Sequence, residues 1–538
     1  MLKKPLVIHP FLFGIFPTLF LFSHNIGELS LNVIFVPIVF TVGLTLLYWF
    51  LLSFVLSNMQ KAGLIVSLFL LLFFSYGHFL QALNSTGFRL ILGWFFIQNS
   101  KFLLFIWCAL FFIGAYFSIK TIRSLHNFTY LLNIIASFLI VTSLINIGAY
   151  KLRTRGDWGD IRSAEKVKIS PEDFKKVDRL PNIYYIILDG YPRADILKEI
   201  YEYENTEFYD YLTKKGFYIA NKSRSNYSQT ALSLAACLNL KYLDDLVEQV
   251  GIESKNFEPL KNMIKNSWVF DFLRQYGYKI VAFSSGYPGT EIKNADFYIT
   301  TGRSLTEFQN ELLNTTYVPE VLNMVKSYDR FDSHRKKLLY IIDHLVDTCK
   351  LKAPIFVFAH IKAPHPPFIF GQNGEKIKLM KRFTDHDGDR LIRKDRLTRA
   401  EYLKGYRDQL IFINKKMIKA LDGILSNSKT PPIIILQADH GPRSMLVWED
   451  TTKTYFKECM SILNAYYLPY KGNKHLYEEI TPVNTFRVIF NHYFRTNYHL
   501  LEDRSYYSSA RHPYKFFDVT DKIKSEELED FLDQAGIE

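Results

Sequence analysis

The run Pro431-Pro432-Ile433-Ile434-Ile435-Leu436-Gln437-Ala438-Asp439-His440-Gly441 carries four large aliphatics and then a carboxylate, an imidazole and a glycine. An adjacent carboxylate and imidazole make a workable pair of metal ligands. The plainer alternative is a strand ending in a turn, since Asp and Gly favour turns. Asn182-Ile183-Tyr184-Tyr185-Ile186-Ile187-Leu188-Asp189-Gly190 repeats the pattern, with a second acid at its end. A hydroxyl comes from Ser228-Gln229-Thr230, which leads straight into the small-residue segment Ala231–Cys237 and so lies at a helix N-terminus. Free N–H groups and the macrodipole favour negative charge there, which suits a nucleophile that carries a phosphoryl group. An ordinary N-cap is the alternative. His365 stands among Pro364, Pro366 and Pro367, which stiffen its turn. A histidine held in this way suits substrate binding or proton transfer, although a loop histidine without a role fits the same residues.

Four apolar runs would position these groups: Ile183–Leu188, Tyr278–Phe283, Ile355–Ala359 and Ile433–Leu436. Helical text separates them, over 194–215, 260–276, 334–349 and 400–426, with Leu403, Leu410, Met417 and Leu421 at helical spacing in the last. Alternation of this kind predicts a largely parallel, doubly wound central sheet. Short strands are expected at 217–220 and 462–468, and a helix at 483–494. In such sheets ligands bind beyond the carboxyl ends of the strands. Asp189, Thr230, His365, Asp439 and His440 would then converge on one edge. Two carboxylates, an imidazole and a hydroxyl would hold a single divalent ion, which lowers the hydroxyl's pKa and neutralises charge on a transferred group.

The charge distribution divides the chain. Residues 1–150 contain one acid, Glu28, and seven bases, whereas the remainder holds 52 acids and 58 bases. Half of the net charge of +12 therefore comes from the apolar end and the rest is spread thinly over the polar part, which is no nucleic-acid footprint. Apolar segments near 5–23, 31–56, 62–83, 102–119 and 128–149 approach the ~20 residues a helix needs to cross a bilayer. A five-span α-helical bundle is expected, uncleaved because no small-residue cleavage site follows Lys3-Lys4 and its apolar run. Lys3, Lys4, Lys61, Lys120 and Arg123 fall on one side of it, and Arg89 and Lys101 on the other. This bias predicts a cytoplasmic N-terminus and a polar domain outside the cytoplasm. The stretch 87–98 reads as either an interfacial segment or a partial span.

The expected organisation is a transmembrane domain at 1–150, a juxtamembrane linker at 151–180, a catalytic α/β domain at 181–517 and an acidic, peripheral tail at 518–538. Residues 376–399 are dense in Lys and Arg and read as a solvated loop. Asp385-His386-Asp387-Gly388-Asp389 fails as a calcium loop, because the glycine is misplaced and Arg396 stands where the bidentate Glu belongs. Cys237, Cys349 and Cys459 have no metal-type spacing and cannot all pair.

This ordered set of motifs behind a multi-span anchor resembles the alkaline phosphatase/sulfatase superfamily. More narrowly, it is similar to the membrane-anchored lipoteichoic acid synthases and lipid A phosphoethanolamine transferases. The resemblance implies an alkaline phosphatase-like fold, with Asp189, Thr230, Asp439 and His440 as metal ligands. It implies Thr230, in Thr230-Ala231-Leu232-Ser233, as the nucleophile in preference to Ser228, and His365 as a catalytic residue beside the substrate phosphate. His360, Arg443 and Ser228 carry over as substrate-binding residues. The C/S-x-P-x-R sequence that sulfatases convert to formylglycine is missing around Ser228–Cys237, and no His-Gly follows Gly441. The expected activity is therefore a one-metal phosphotransferase, with zinc or manganese. It would move phosphoethanolamine or glycerol phosphate from a membrane lipid donor to an envelope glycan or lipid through a phospho-threonine. The expected location is the inner or plasma membrane. A hydrolase using the same site and an inactive membrane scaffold are the alternatives.

Overall fold

The computed structural model describes residues 5–26, 31–85, 90–92, 95–97, 99–153, 180–301, 307–324, 329–352, 354–380, 383–384, 387–393 and 397–535. The linker expected at 151–180 falls largely outside these residues, as do Asp385 and His386. Two compact units emerge. The first joins 1–161 to 305–329, and the second joins 162–304 to 330–538.

In the first unit, four helices are long and apolar enough to cross a membrane: Phe35–Leu56, Met59–Leu83, Asn99–Lys120 and His126–Tyr150. The first expected span is a helix of only 16 residues, His9–His24. Four of the five expected segments therefore reach spanning length among the described residues. The short helix has its open N-terminus satisfied from within the bundle: Asn133 Oδ1 accepts the N–H groups of Ile8 and His9, and Asn133 Nδ2 donates to Leu6 O. Phe40, Phe54, Phe105, Phe112 and Phe138 are exposed, the expected state of side chains that face lipid. Within the stretch 87–98, expected as an interfacial segment or a partial span, Leu90–Leu92 (β1) and Phe95–Ile97 (β2) pair antiparallel.

The insertion 305–329 belongs to this unit although it lies between two strands of the other. Its helices are Glu307–Asn314 and Val318–Met324. Phe308 packs with Leu19, Phe22 and Ile147, and Tyr317 meets the rings of Phe73 and Tyr76 edge-on. The Gly77 N–H donates to Thr315 O at 2.8 Å, and a Cβ on Gly77 would lie 1.9 Å from Asn314 O. Only a glycine permits that approach.

The second unit is built on a seven-stranded sheet. Its strands are Ile183–Leu188 (β3), Tyr218–Ile219 (β4), Lys279–Phe283 (β5), Phe297–Ile299 (β6), Ile355–Ile361 (β7), Ile433–Gln437 (β8) and Asn464–Tyr467 (β9), in the order β4-β9-β8-β3-β7-β5-β6. The five strands β8, β3, β7, β5 and β6 run parallel, and β9 pairs antiparallel with β8. Every residue of β3, β7 and β8 is buried, as unbroken apolar runs require when helices cover both faces. Tyr184, Ile186 and Leu188 share one core with the helices Arg330–His344 and Arg399–Asn427. Tyr185 and Phe358 meet Phe486 and Phe270 on the other face. The helix at 399–427 starts in a reciprocal capping box between Thr398 and Glu401.

Several expected helices are interrupted: 194–215 divides at Glu202–Asn205, and 260–276 at Asn266–Ser267. The C-terminal stretch is not peripheral. It folds into Thr520–Ser525 and Leu528–Ala535, and Phe531 is buried against Tyr455. All four cysteines are free thiols.

Candidate functional site

Register brings the site together. Ile187 of β3 lies opposite His360 of β7 and Gln437 of β8, so Asp189 and Asp439, each two residues beyond its own partner position, leave the sheet at one level. Both turns are glycine-dependent. Gly190 has φ +71°, and a Cβ on Gly441 would lie 2.0 Å from Glu458 O.

Asp439 Oδ1 accepts the N–H groups of Gly190 at 3.1 Å and His440 at 3.0 Å, which fixes the carboxylate and leaves Oδ2 without a hydrogen bond. Asp189 Oδ1 is likewise unpartnered. His440 Nδ1 is 2.8 Å from Gly441 O, so the ring donates there and presents the Nε2 lone pair on its other side. Nε2 lies 3.4 Å from Asp189 Oδ1, 3.5 Å from Asp439 Oδ2 and 3.3 Å from Thr230 Oγ1. Burial, followed by the charge of Arg443, pushes the His440 pKa down and keeps the ring neutral, the form that binds metal. Burial alone would raise the Asp189 carboxyl. The neighbouring His365, His360 and His440 outweigh it and hold the group well below the usual carboxylate range.

Thr230 is the first residue of the helix Thr230–Asn239, so its hydroxyl stands at the helix N-terminus. Ser228 is placed differently: its hydroxyl donates to Ser508 O and accepts from Ser508 N–H, which commits it to the neighbouring backbone. His365 is attached to the first strand turn, its N–H donating to Asp189 O at 3.1 Å. Its Nδ1 is 2.7 Å from Pro366 O, and its ring centroid lies 6.2 Å from that of His440. The structure thus brings Asp189, Thr230, His365, Asp439 and His440 together.

His360 is fully buried, with Nε2 3.3 Å from Asp189 Oδ2. Ligand atoms of Asp189, His360 and Asp439 all lie within 4.8 Å of one another. Buried carboxylate and imidazole atoms that converge without hydrogen-bond partners are the environment a cation satisfies, so the donor set fits a divalent metal.

Arg443 does not reach out to solvent. It donates to Ser228 O at 2.5 Å, lies 3.4 Å from Asp387 Oδ2 and stacks over Trp448, with Cζ 4.9 Å from the ring centroid. Asp387 also accepts the Trp448 indole N–H at 2.7 Å. It is a buried anchor, in contrast to the solvated loop expected at 376–399.

Glu458 is a second anchor that the sequence reading missed. This fully buried carboxylate accepts from Ser444 N–H, Ser444 Oγ, Met445 N–H and Tyr201 Oη, and so pins the loop that follows Asp439-His440. The available signal was an acid beside Lys457 in the mostly apolar stretch Phe456–Leu463.

A family model described as Sulfatase matches residues 181–519. No curated protein matches the chain. Among solved structures, the zinc complex of the C-terminal periplasmic domain of Escherichia coli EptC is 11% identical, covering 67% of this chain and 97% of that one with a TM-score of 0.42. The Neisseria meningitidis integral membrane protein lipooligosaccharide phosphoethanolamine transferase A is 12% identical, covering 89% and 94% with a TM-score of 0.37. The corresponding periplasmic domain of the Campylobacter jejuni phosphoethanolamine transferase EptC is 12% identical, covering 60% and 92% with a TM-score of 0.38.

Proposed function

This chain belongs to the sulfatase family, and from that premise we propose that it is a membrane-bound phosphotransferase working by double displacement on Thr230. The observation that carries the reading is the convergence of Asp189, Asp439 and the Thr230 hydroxyl, at a helix N-terminus, on His440 Nε2. The absence of the formylglycine sequence argues for phosphoryl over sulfuryl transfer within this family.

Asp189, Thr230, Asp439 and His440 would hold one divalent ion, zinc or manganese. When bound, the ion supplies positive charge that lowers the hydroxyl's pKa and neutralises the transferred phosphoryl oxygens. The proton of Thr230 Oγ1 is lost to solvent, and the oxygen attacks the phosphorus of a phospholipid headgroup. A P–O bond forms to Thr230, and the P–O bond to diacylglycerol breaks. His365 Nε2 gives its proton to the departing glyceryl oxygen, while Nδ1 stays bound to Pro366 O. In the second half, His365 Nε2 takes the proton of an acceptor hydroxyl, whose oxygen displaces Thr230 from phosphorus.

Arg443 acts by holding the backbone of Ser228, two residues before the nucleophile, and Ser228 acts through the same segment. The donor is a phosphoethanolamine- or glycerol phosphate-bearing lipid, and the acceptor is an envelope glycan or lipid. Read as five crossings, with His9–His24 as the short one beside four helices of spanning length, the charge bias of the short loops supports a catalytic domain outside the cytoplasm at the plasma or inner membrane.

The test is incubation of the purified full chain with phospholipids labelled in the headgroup, with and without a glycan or glycolipid acceptor. Headgroup-dependent release of diacylglycerol and an acceptor carrying the label support the reading. Free headgroup as the only product, whatever acceptor is supplied, would replace it with a hydrolase.

A further inference from the structure

His360 has two properties that a substrate-binding residue lacks. It is fully buried, and it sits within the rigid central strand β7 rather than on a loop. Its two nitrogens are treated unequally. Nδ1 is 2.9 Å from Thr290 Oγ1, which is itself 2.8 Å from Ser285 Oγ, so a hydroxyl pair fixes the ring from behind. Nε2 points the other way, lies 3.3 Å from Asp189 Oδ2 and makes no hydrogen bond. Tyr287 packs edge-on against the ring, with centroids 6.3 Å apart.

One nitrogen locked by an outer partner and the other aimed, bare, at carboxylates is how a metal-ligating histidine is presented. Asp189 lies between two such rings, with Oδ1 toward His440 and Oδ2 toward His360. We propose that His360 is itself a ligand to the metal, through Nε2, and that Ser285 and Thr290 are the positioning residues that hold it there. This rests on the metal-dependent reading above and changes its donor set, from two carboxylates and one imidazole to two carboxylates and two imidazoles beside Thr230. The additional nitrogen moves the preference from manganese, which carboxylates suit, toward zinc.

The test is metal binding by the full chain in detergent, after removal of metal. Zinc affinity is read by competition with a chromophoric chelator, and coordination by the visible absorption of the cobalt(II) form. Wild type is expected to bind zinc in preference to manganese. His360→Gln is expected to weaken zinc by at least about 100-fold and to change the cobalt spectrum, whereas Thr290→Val, which frees the ring without removing it, weakens zinc about 10-fold. If His360→Gln does not give a cooperative unfolding transition, Thr290→Val decides: unchanged affinity in it overturns the proposal. His360→Gln that binds zinc within twofold of wild type, with an unaltered cobalt spectrum, overturns the ligand role and leaves the phosphotransferase reading standing. Wild type that binds no divalent metal overturns that reading as well.

Discussion

Thr230 Oγ1 and His440 Nε2 lie 3.3 Å apart although 210 residues separate them in the chain. The pair joins the N-terminus of one helix to the end of a central strand, and the remaining site groups are arranged around it.

Removing the nucleophile should abolish transfer without unfolding the protein. Thr230→Ala is expected to reduce headgroup transfer to background with an unchanged unfolding midpoint, because the side chain is small and partly exposed. Thr230→Ser keeps the hydroxyl and should retain measurable transfer. Equal activity of wild type and Thr230→Ala would remove threonine from the mechanism.

His365 is assigned to proton transfer and lies outside the donor set. His365→Gln should lower kcat by about 100- to 10,000-fold, the usual range for a lost general acid–base, while zinc affinity stays within a few-fold of wild type. A loss of zinc that accompanied the loss of rate would make His365 a ligand instead.

Glu458 holds the loop after Asp439-His440 through two backbone N–H groups and the Ser444 hydroxyl. Glu458→Ala leaves these buried donors unpaired and should destabilise the protein by about 1–3 kcal/mol for each group left unsatisfied. A lowered unfolding midpoint together with weaker zinc binding is the expected result. Unchanged stability would mean that the loop is held by other contacts.

Gly77 allows the insertion 305–329 to approach the apolar helices. Gly77→Leu should detach it, read as new protease cleavage within 307–324 in detergent or membranes. A digestion pattern identical to wild type would contradict a tightly packed insertion.

The central sheet and its reactive edge were legible because β3, β7 and β8 are largely apolar runs and the residues that follow them change character abruptly at Asp189, Lys362 and Ala438–Asp439. Parallel register then made convergence a consequence of chain direction. The supports of the site were less readable. Thr290, Ser285 and Asp387 lie in stretches without periodicity; Thr290 and Asp387 matter through contacts with residues dozens of positions away, and Ser285 through Thr290. His360 was hardest to place because, inside β7, it reads as one more position of a strand, and only the unpartnered Nε2 beside Asp189 distinguishes it. The packing of the insertion and of the tail was not legible for a related reason. Phe308, Tyr317 and Phe531 are isolated aromatics in polar text, and their burial depends on partners supplied by distant segments.

The most direct test of the account is the mass of the Thr230 peptide after the full chain has been incubated with phospholipid and quenched in acid. The account predicts a gain equal to one phospho-headgroup, localised to Thr230, chased off by an acceptor and absent in Thr230→Ala. An unmodified peptide from protein that is turning over substrate would contradict it.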